Sequence, residues 1–386
     1  MKKLATLLLT ALLCSSFVPK QEQKKAPSAA NVNVLYMLVG TYTSGSSKGI
    51  YVYRFNMENG QASYVSEIDG IANPSYLTVS KNEKFIYSVS QNDRDDDSAI
   101  AYSFNKKTGT LKYLNTQKTN GASPCFINID KTGKYVITAN YSGGNVTVFP
   151  TNSDGTLLPA SQVLSFTGSS IDKERQTKPY IHCVTFSPDG KFLFADDLGT
   201  DQVHIFSTNY LNPDTFLAPK KPAAYKVEAG SGPRHLAFHP NGKYAYLINE
   251  LSGKVTVFQY KNGTLKAMQY IASDTTPGIG QKGSADIHLT PNGKFLYASN
   301  RLKDDGIAIF KVNQINGTLT KVGYQPTGIH PRNFVIAPNG KYLLAANRDS
   351  NSIQIFRIEQ KTGLLKNMNK DINIDRPVCL KFISLN

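Results

Sequence analysis

The sequence predicts an all-β chain folded as a seven-bladed β-propeller, with the seventh blade shared between the N- and C-termini. Three observations carry this prediction. A short alternating strand ending in an aromatic recurs seven times, a Gly-Thr-Leu turn or a close variant follows most copies, and a Pro-Asp-Gly-Lys or Pro-Asn-Gly-Lys hairpin precedes several of them.

The strands of the first marker end at Tyr53, Tyr102, Phe149, Phe206, Phe258, Phe310 and Phe356, spaced 46 to 57 residues apart. That spacing accommodates one four-stranded sheet per repeat, and the period-two alternation argues strand over helix. The turn glycines are Gly60, Gly109, Gly155, Gly263, Gly317 and Gly363; the fourth repeat lacks one and carries a longer, Pro-rich segment from Leu211 to Pro222. The hairpins at Pro188–Lys191, Pro240–Lys243, Pro291–Lys294 and Pro338–Lys341 have Asp-Gly or Asn-Gly at their centres, residues that tolerate the positive φ of a tight turn. The chain opens at Val34–Val39 with the second strand of a repeat and ends at Arg376–Phe382 with a first strand, so the two ends together complete one blade. The absence of Trp excludes a Trp-Asp repeat propeller.

Ahead of the repeats, Lys2 and Lys3 precede an apolar run from Leu4 to Leu13 that is too short to span a bilayer. Residues 1–18 therefore read as a signal peptide, residues 19–33 as a flexible tether rich in Lys, Gln, Pro and Ala, and residues 34–386 as one propeller domain. Cys14 stands where a lipoprotein signal would be acylated, but Leu13 replaces the small residue usual before it, which leaves a lipid anchor and ordinary cleavage both open. Either outcome makes the protein exported, as a periplasmic or a membrane-tethered species.

The formal charge is +15, about +11 of it on the propeller, which favours anionic ligands. Many of the lysines sit in the repeated hairpin, where they are solvated, and they are not interleaved with aromatics on one face, so nucleic acid is not an expected partner. Cys125, Cys183 and Cys379 are odd in number, lack metal-ligand spacing and fall at the start of the same repeated strand. They read as small buried hydrophobes, although a Cys125–Cys183 disulfide between neighbouring blades is compatible with export.

In a propeller the first strands line the central channel, so the repeat register sorts the candidates for chemistry. One equivalent position holds Ser75, Cys125, His182, Arg234, Ala285, Arg332 and Val378; His235 and Asp286 follow one residue on, and His288 lies in the same strand as Asp286. At the ends of second strands stand Gln91-Asn92, Asn140-Tyr141, Asp196-Asp197, Asn249-Glu250, Asn300-Arg301 and Asn347-Arg348. Asn and Asp are ordinary loop starters; Glu250 and Arg301 are not explained that way. Together they describe a polar mouth suited to a small anionic molecule.

The strings Gly232-Pro233-Arg234-His235-Leu236-Ala237-Phe238-His239-Pro240 with Asn249-Glu250-Leu251, Ala285-Asp286-Ile287-His288-Leu289-Thr290-Pro291 with Asn300-Arg301, and Pro331-Arg332 resemble the propeller-type 6-phosphogluconolactonases across residues 34–386. Fungal carboxymuconate cyclases are related to these enzymes. The resemblance implies a lactone hydrolase with His182, Glu250, Arg234 and Arg301 as catalytic residues, and His235, His288, Arg332 and Asp286 as substrate-binding residues. The export signal departs from a cytoplasmic pentose-phosphate role and leaves open whether the lactone is phosphorylated.

Lactone hydrolysis needs a base for water, for which Glu250 and His182 are the candidates, and cations for the developing oxyanion and the substrate anion, for which Arg234, Arg301 and Arg332 are the candidates. No cofactor is expected. Arginines interleaved with Asp286 and Glu250 disfavour a calcium site, and the acidic run Asp93–Asp97 reads as a solvated loop. A non-catalytic surface-binding propeller and a carboxymuconate-type lactonising lyase are the alternatives, and the oligomeric state stays open between monomer and dimer.

Overall fold

The computed structural model describes residues 33–92, 97–278 and 282–385. The proposed signal peptide, Cys14 and nearly all of the tether lie outside the described residues, as do four of the five residues of the acidic run. Its fifth member, Asp97, is buried and accepts the backbone N–H of Asn92 at 2.7 Å. No helix among the described residues is long and apolar enough to cross a membrane.

The strands form seven antiparallel sheets. Blade 1 starts with Leu77–Val79, blade 2 with Pro124–Ile129, blade 3 with Ile181–Phe186, blade 4 with Pro233–Phe238, blade 5 with Ile287–Leu289 and blade 6 with Pro331–Ile336. In blade 7 the chain's last strand, Pro377–Ser384, is innermost and pairs with its first, Val34–Thr41, followed outward by Gly49–Asn56 and Ala62–Asp69.

Second strands such as Tyr135–Asn140 and Tyr244–Asn249 are buried along their whole length because adjacent blades cover both faces, which is why they read as continuous apolar runs. Fourth strands such as Thr110–Lys118 alternate exposed and half-buried residues, as an outer edge should. At the hairpin between first and second strands Gly242 takes a φ of +69°, and the Asn241 side chain caps the turn by accepting the Lys243 N–H at 2.9 Å.

The turn glycines do a second job between blades. Five of the six lie on the aromatic that starts the second strand of the preceding blade, and Gly109 lies on Tyr36, third in its strand: a Cβ on Gly317 would fall 2.4 Å from Tyr244 Cγ, one on Gly363 2.4 Å from Phe295 Cδ1, and one on Gly155 2.2 Å from Phe85 Cδ1. The carbonyls of Gly155, Gly317 and Gly363 in turn accept the hydroxyls of Tyr87, Tyr246 and Tyr297 at 2.8–3.1 Å. Blade 3, which lacks the glycine, fills the same role differently. Its Pro-rich segment forms a short 3₁₀ turn at Pro213–Thr215, and Phe216 stacks on Tyr135 of blade 2 at 3.9 Å.

Candidate active site

Five blades share a local departure from regular pairing that decides which side chains reach the channel. The register between first and second strands slips by one residue at Cys125, His182, Arg234, Arg332 and Val378. The equivalent position singled out in the sequence is therefore a β-bulge in five blades. A bulge adds an unpaired residue and turns its side chain away from the normal alternation. In blade 5 regular pairing begins only at Ile287, just past the same point.

Around the bulge side chains lies a cavity of about 290 Å³ lined by Tyr42, Gln91, Ser123, Cys125, Tyr141, Ser142, Arg175, His182, Glu250, Arg301 and Arg332. Glu250 is its only carboxylate among the described residues. One of its oxygens meets Arg175 at 2.7 Å, and the other meets Arg234 Nε at 2.9 Å and Arg301 at 3.1 Å. Burial alone would raise the Glu250 pKa, but the guanidiniums of Arg301, Arg234 and Arg175 overcome it and hold the carboxyl well below the usual carboxylate range. A carboxylate so fully committed is a weak base, which makes it a holder of arginines.

His182 has the opposite character. Its Nδ1 is buried without a hydrogen-bond partner among the described residues, and burial, followed by the nearby charge of Arg234, pushes its pKa well below the ordinary histidine value. It is therefore neutral at neutral pH with a ring lone pair to offer. Cys125 also lines the cavity, but burial pushes its thiol up to about 12, so it is a poor nucleophile. Cys125, Cys183 and Cys379 are all free and buried, so the Cys125–Cys183 disulfide is not formed.

Arg332 extends over the Tyr42 ring at 5.6 Å and, among the described residues, has neither a carboxylate partner nor a hydrogen bond. Arg301 is anchored by Gly283 O at 2.7 Å and faces His330 Nε2 at 3.3 Å. Three guanidiniums thus share one carboxylate, with Arg332 a fourth beside them, and the surplus charge suits an anionic guest. A neighbouring cavity of about 500 Å³ shares Tyr42 and Gln91 and adds Ser44, Asn73, Arg348, Asp349 and Arg376. Arg348 is held by Asp349, while Arg376 donates to Ser44 Oγ.

The structure thus brings His182, Glu250, Arg301 and Arg332 into one cavity. Arg234 lies beneath it, fully buried, bonded to Glu250 and Ala285 O, and does not line it. His235, Asp286 and His288 belong elsewhere: Asp286 joins His235 Nδ1 at 2.8 Å and His288 Nε2 at 2.9 Å, and all three line a separate chamber deeper in the channel. Their position one or three residues after the bulge position explains the separation, because alternation sends them to a lower level than His182, Arg301 and Arg332.

Three site residues escaped the sequence reading. Arg175 sits on the long segment between Gln162–Ser165 and Ile181–Phe186, outside any repeat register. Tyr42 lies just past the second strand of blade 7, where the sequence offers no charged residue to mark it. His330, with a φ of +63°, precedes the bulge of blade 6. Among the described residues no group of three or more His, Cys, Asp or Glu is disposed to hold a metal ion.

A seven-bladed propeller with a cavity that gathers a neutral histidine and surplus arginines has the means to hold a small anionic molecule, and the likeness to known proteins gives its class. A family model described as lactonase, 7-bladed β-propeller, matches residues 36–382. A 6-phosphogluconolactonase of Formosa agariphila is 41% identical over 345 residues, covering 88% of this chain and 97% of that protein. The structure of the Pseudomonas aeruginosa periplasmic gluconolactonase PpgL is 33% identical with a TM-score of 0.86, over 92% of this chain and 100% of that one. A solved structure from Bacteroides fragilis is 57% identical with a TM-score of 0.89, over 93% of this chain and 100% of that one. The chain belongs to the seven-bladed β-propeller lactonase family and is a lactone hydrolase.

Proposed function

We propose that the protein opens a sugar lactone of the 6-phosphogluconolactone kind in the 290 Å³ cavity at the channel mouth, without a metal ion. The observation that carries this reading is Arg332, a guanidinium without a carboxylate partner among the described residues that lines the same cavity as the neutral His182.

In this reading His182 takes a proton from water as its oxygen attacks the lactone carbonyl. Arg301 and Arg332 offset the negative charge that develops on the carbonyl oxygen. Collapse of the tetrahedral species breaks the ring C–O bond, and the departing alkoxide takes the proton back from His182. The product is a hydroxy acid whose carboxylate stays beside the arginines. Glu250 and Arg234 are positioning residues, which keep Arg301 and Arg175 at fixed angles. The adjoining cavity with Arg348 and Arg376 supports room for a remote anionic group such as a phosphate. The basic, apolar leader and the periplasmic relative both support export.

The test is acid release from gluconolactone and from its 6-phosphate by the purified protein. Arg332→Ala should raise KM at least tenfold, Arg332→Lys should rescue poorly because it lacks the bidentate fork, and EDTA should leave the rate unchanged. Lys243→Ala, a like change of charge at an exposed hairpin, is the control. Equal effects of Arg332→Ala and Lys243→Ala, or full activity of both Arg332→Ala and His182→Ala, would return the protein to the non-catalytic reading.

A further inference from the structure

The first strands present inward residues in successive levels. Below the bulge level comes a layer that includes Tyr76, Phe126, Cys183, His235 and Asp286, and two residues further along each strand comes another that includes Thr78, Asn128, Thr185, His288 and Lys381. The upper of these layers is closed by rings: Tyr76 stacks on Phe126 at 4.0 Å, and His235 meets Phe126 edge-on at 5.3 Å and His182 at 5.2 Å. It is the floor of the active-site cavity and the ceiling of a second chamber of about 370 Å³ facing the other end of the channel. That volume lies in the range of small-molecule sites.

The two charged groups of this chamber are unequally satisfied. Among the described residues its one carboxylate, Asp286, is already satisfied by His235, His288, the Asn333 amide and the backbone N–H groups of Ile287 and Phe334. Lys381, by contrast, has no ion pair or hydrogen bond among the described residues and rests its ammonium over the Tyr76 ring at 4.6 Å. A partly sheltered cation beside a stacked aromatic pair offers one charge-assisted contact and one apolar face, and nothing in the lactonase reaction uses either.

We propose that this lower chamber is a second ligand site, taking a small organic monocarboxylate whose carboxylate meets Lys381 and whose apolar body packs on the Tyr76–Phe126 pair. One ammonium without an arginine fork favours a monoanion over phosphate, and the aromatic ceiling favours an apolar body over a polyhydroxylated one. The site is separate from the lactonase cavity and does not depend on how that cavity works.

The experiment is calorimetric titration of the full chain at pH 7 with benzoate as the probe. Benzoate should bind at one site, and benzyl alcohol, a neutral match in shape, at least tenfold more weakly. Lys381→Met and Ala237→Phe, the latter filling the chamber wall, should each weaken benzoate at least tenfold, while Lys381→Arg and Arg332→Ala retain it. Melting curves establish that each variant is folded, and two independent variants guard against the loss of one. The proposal is overturned if no saturable binding occurs, if both variants bind like the parent, if Arg332→Ala abolishes binding and so places benzoate in the upper cavity, or if inorganic phosphate or gluconate binds the chamber more tightly. The readout is binding alone, so failure here leaves the lactonase assay untouched, and the reverse also holds.

Discussion

Glu250 and His182 are both conventional bases on paper, and their surroundings separate them. Glu250 is bonded to three guanidiniums and His182 to nothing on Nδ1. Removing one member of a buried ion cluster leaves the others uncompensated, which costs about 3–5 kcal/mol. Glu250→Gln should therefore lower the melting temperature and raise KM as Arg301 and Arg175 lose their anchor. His182→Ala should leave stability nearly intact and lower kcat by roughly 10²–10⁴-fold, the span for loss of a general base. Steady-state kinetics paired with thermal melts distinguish the two. A Glu250→Gln enzyme that melts like the parent but loses only kcat would reassign the base to Glu250. Residue types and register were enough to nominate this set from sequence, but not the division of labour within it, because that depends on Arg175, which no repeat position predicts.

Between residue and fold, the blade-to-blade contact is made by a turn glycine lying on the neighbouring blade's aromatic. Gly317 and Gly242 both have positive φ, +75° and +69°, but only Gly317 has a neighbour, with Tyr244 Cγ 2.4 Å from where a Cβ would stand; nothing lies within 4 Å of Gly242. Ala at Gly242 should cost about 1 kcal/mol for the left-handed backbone alone. Ala at Gly317 must also displace a packed ring, and should cost about 2 kcal/mol more, in the range of overpacked cores. Denaturant melts of the two variants measure the difference, and equal losses would mean that the inter-blade contact carries little. The glycines were legible in the sequence as turn markers, whereas their packing role was not, since the aromatic partner lies 68 to 73 residues away in the chain for Gly155, Gly317 and Gly363. The bulges were equally hidden: an inserted residue looks like any other until the partner strand shows the slip between Pro233 and His235.

At the scale of the whole molecule, closure packs the channel wall from every blade at once, and burying that wall takes histidines out of water. Burial first, and then neighbouring cations, depresses His182, His235 and His330, with His235 brought to about 4. For a histidine depressed in the folded state, the unfolded chain binds the extra proton as pH falls below about 6.5, so stability is lost from that point downward. The interval at His235 alone amounts to about 3 kcal/mol by pH 4. Glu250 and Asp286 are depressed carboxyls, ionised in both states until pH falls into the ordinary carboxylate range, so they add to the loss only below about pH 4.5. Buried Asp196 acts in the opposite sense. Burial raises its pKa well above the ordinary value, so the folded chain keeps a proton that the unfolded chain gives up, and acid relieves the cost of burying it. Three histidines against this one strongly raised carboxyl leave the unfolded state the net proton acceptor between pH 6.5 and 4. The melting temperature should therefore fall steadily across that window, and Asp196→Asn, which removes the opposing group, should steepen the fall. A melting temperature that is flat from pH 7 to 4.5 in the parent would mean that the channel histidines keep their protons in the folded state. It would also remove the neutral His182 on which the proposed mechanism turns.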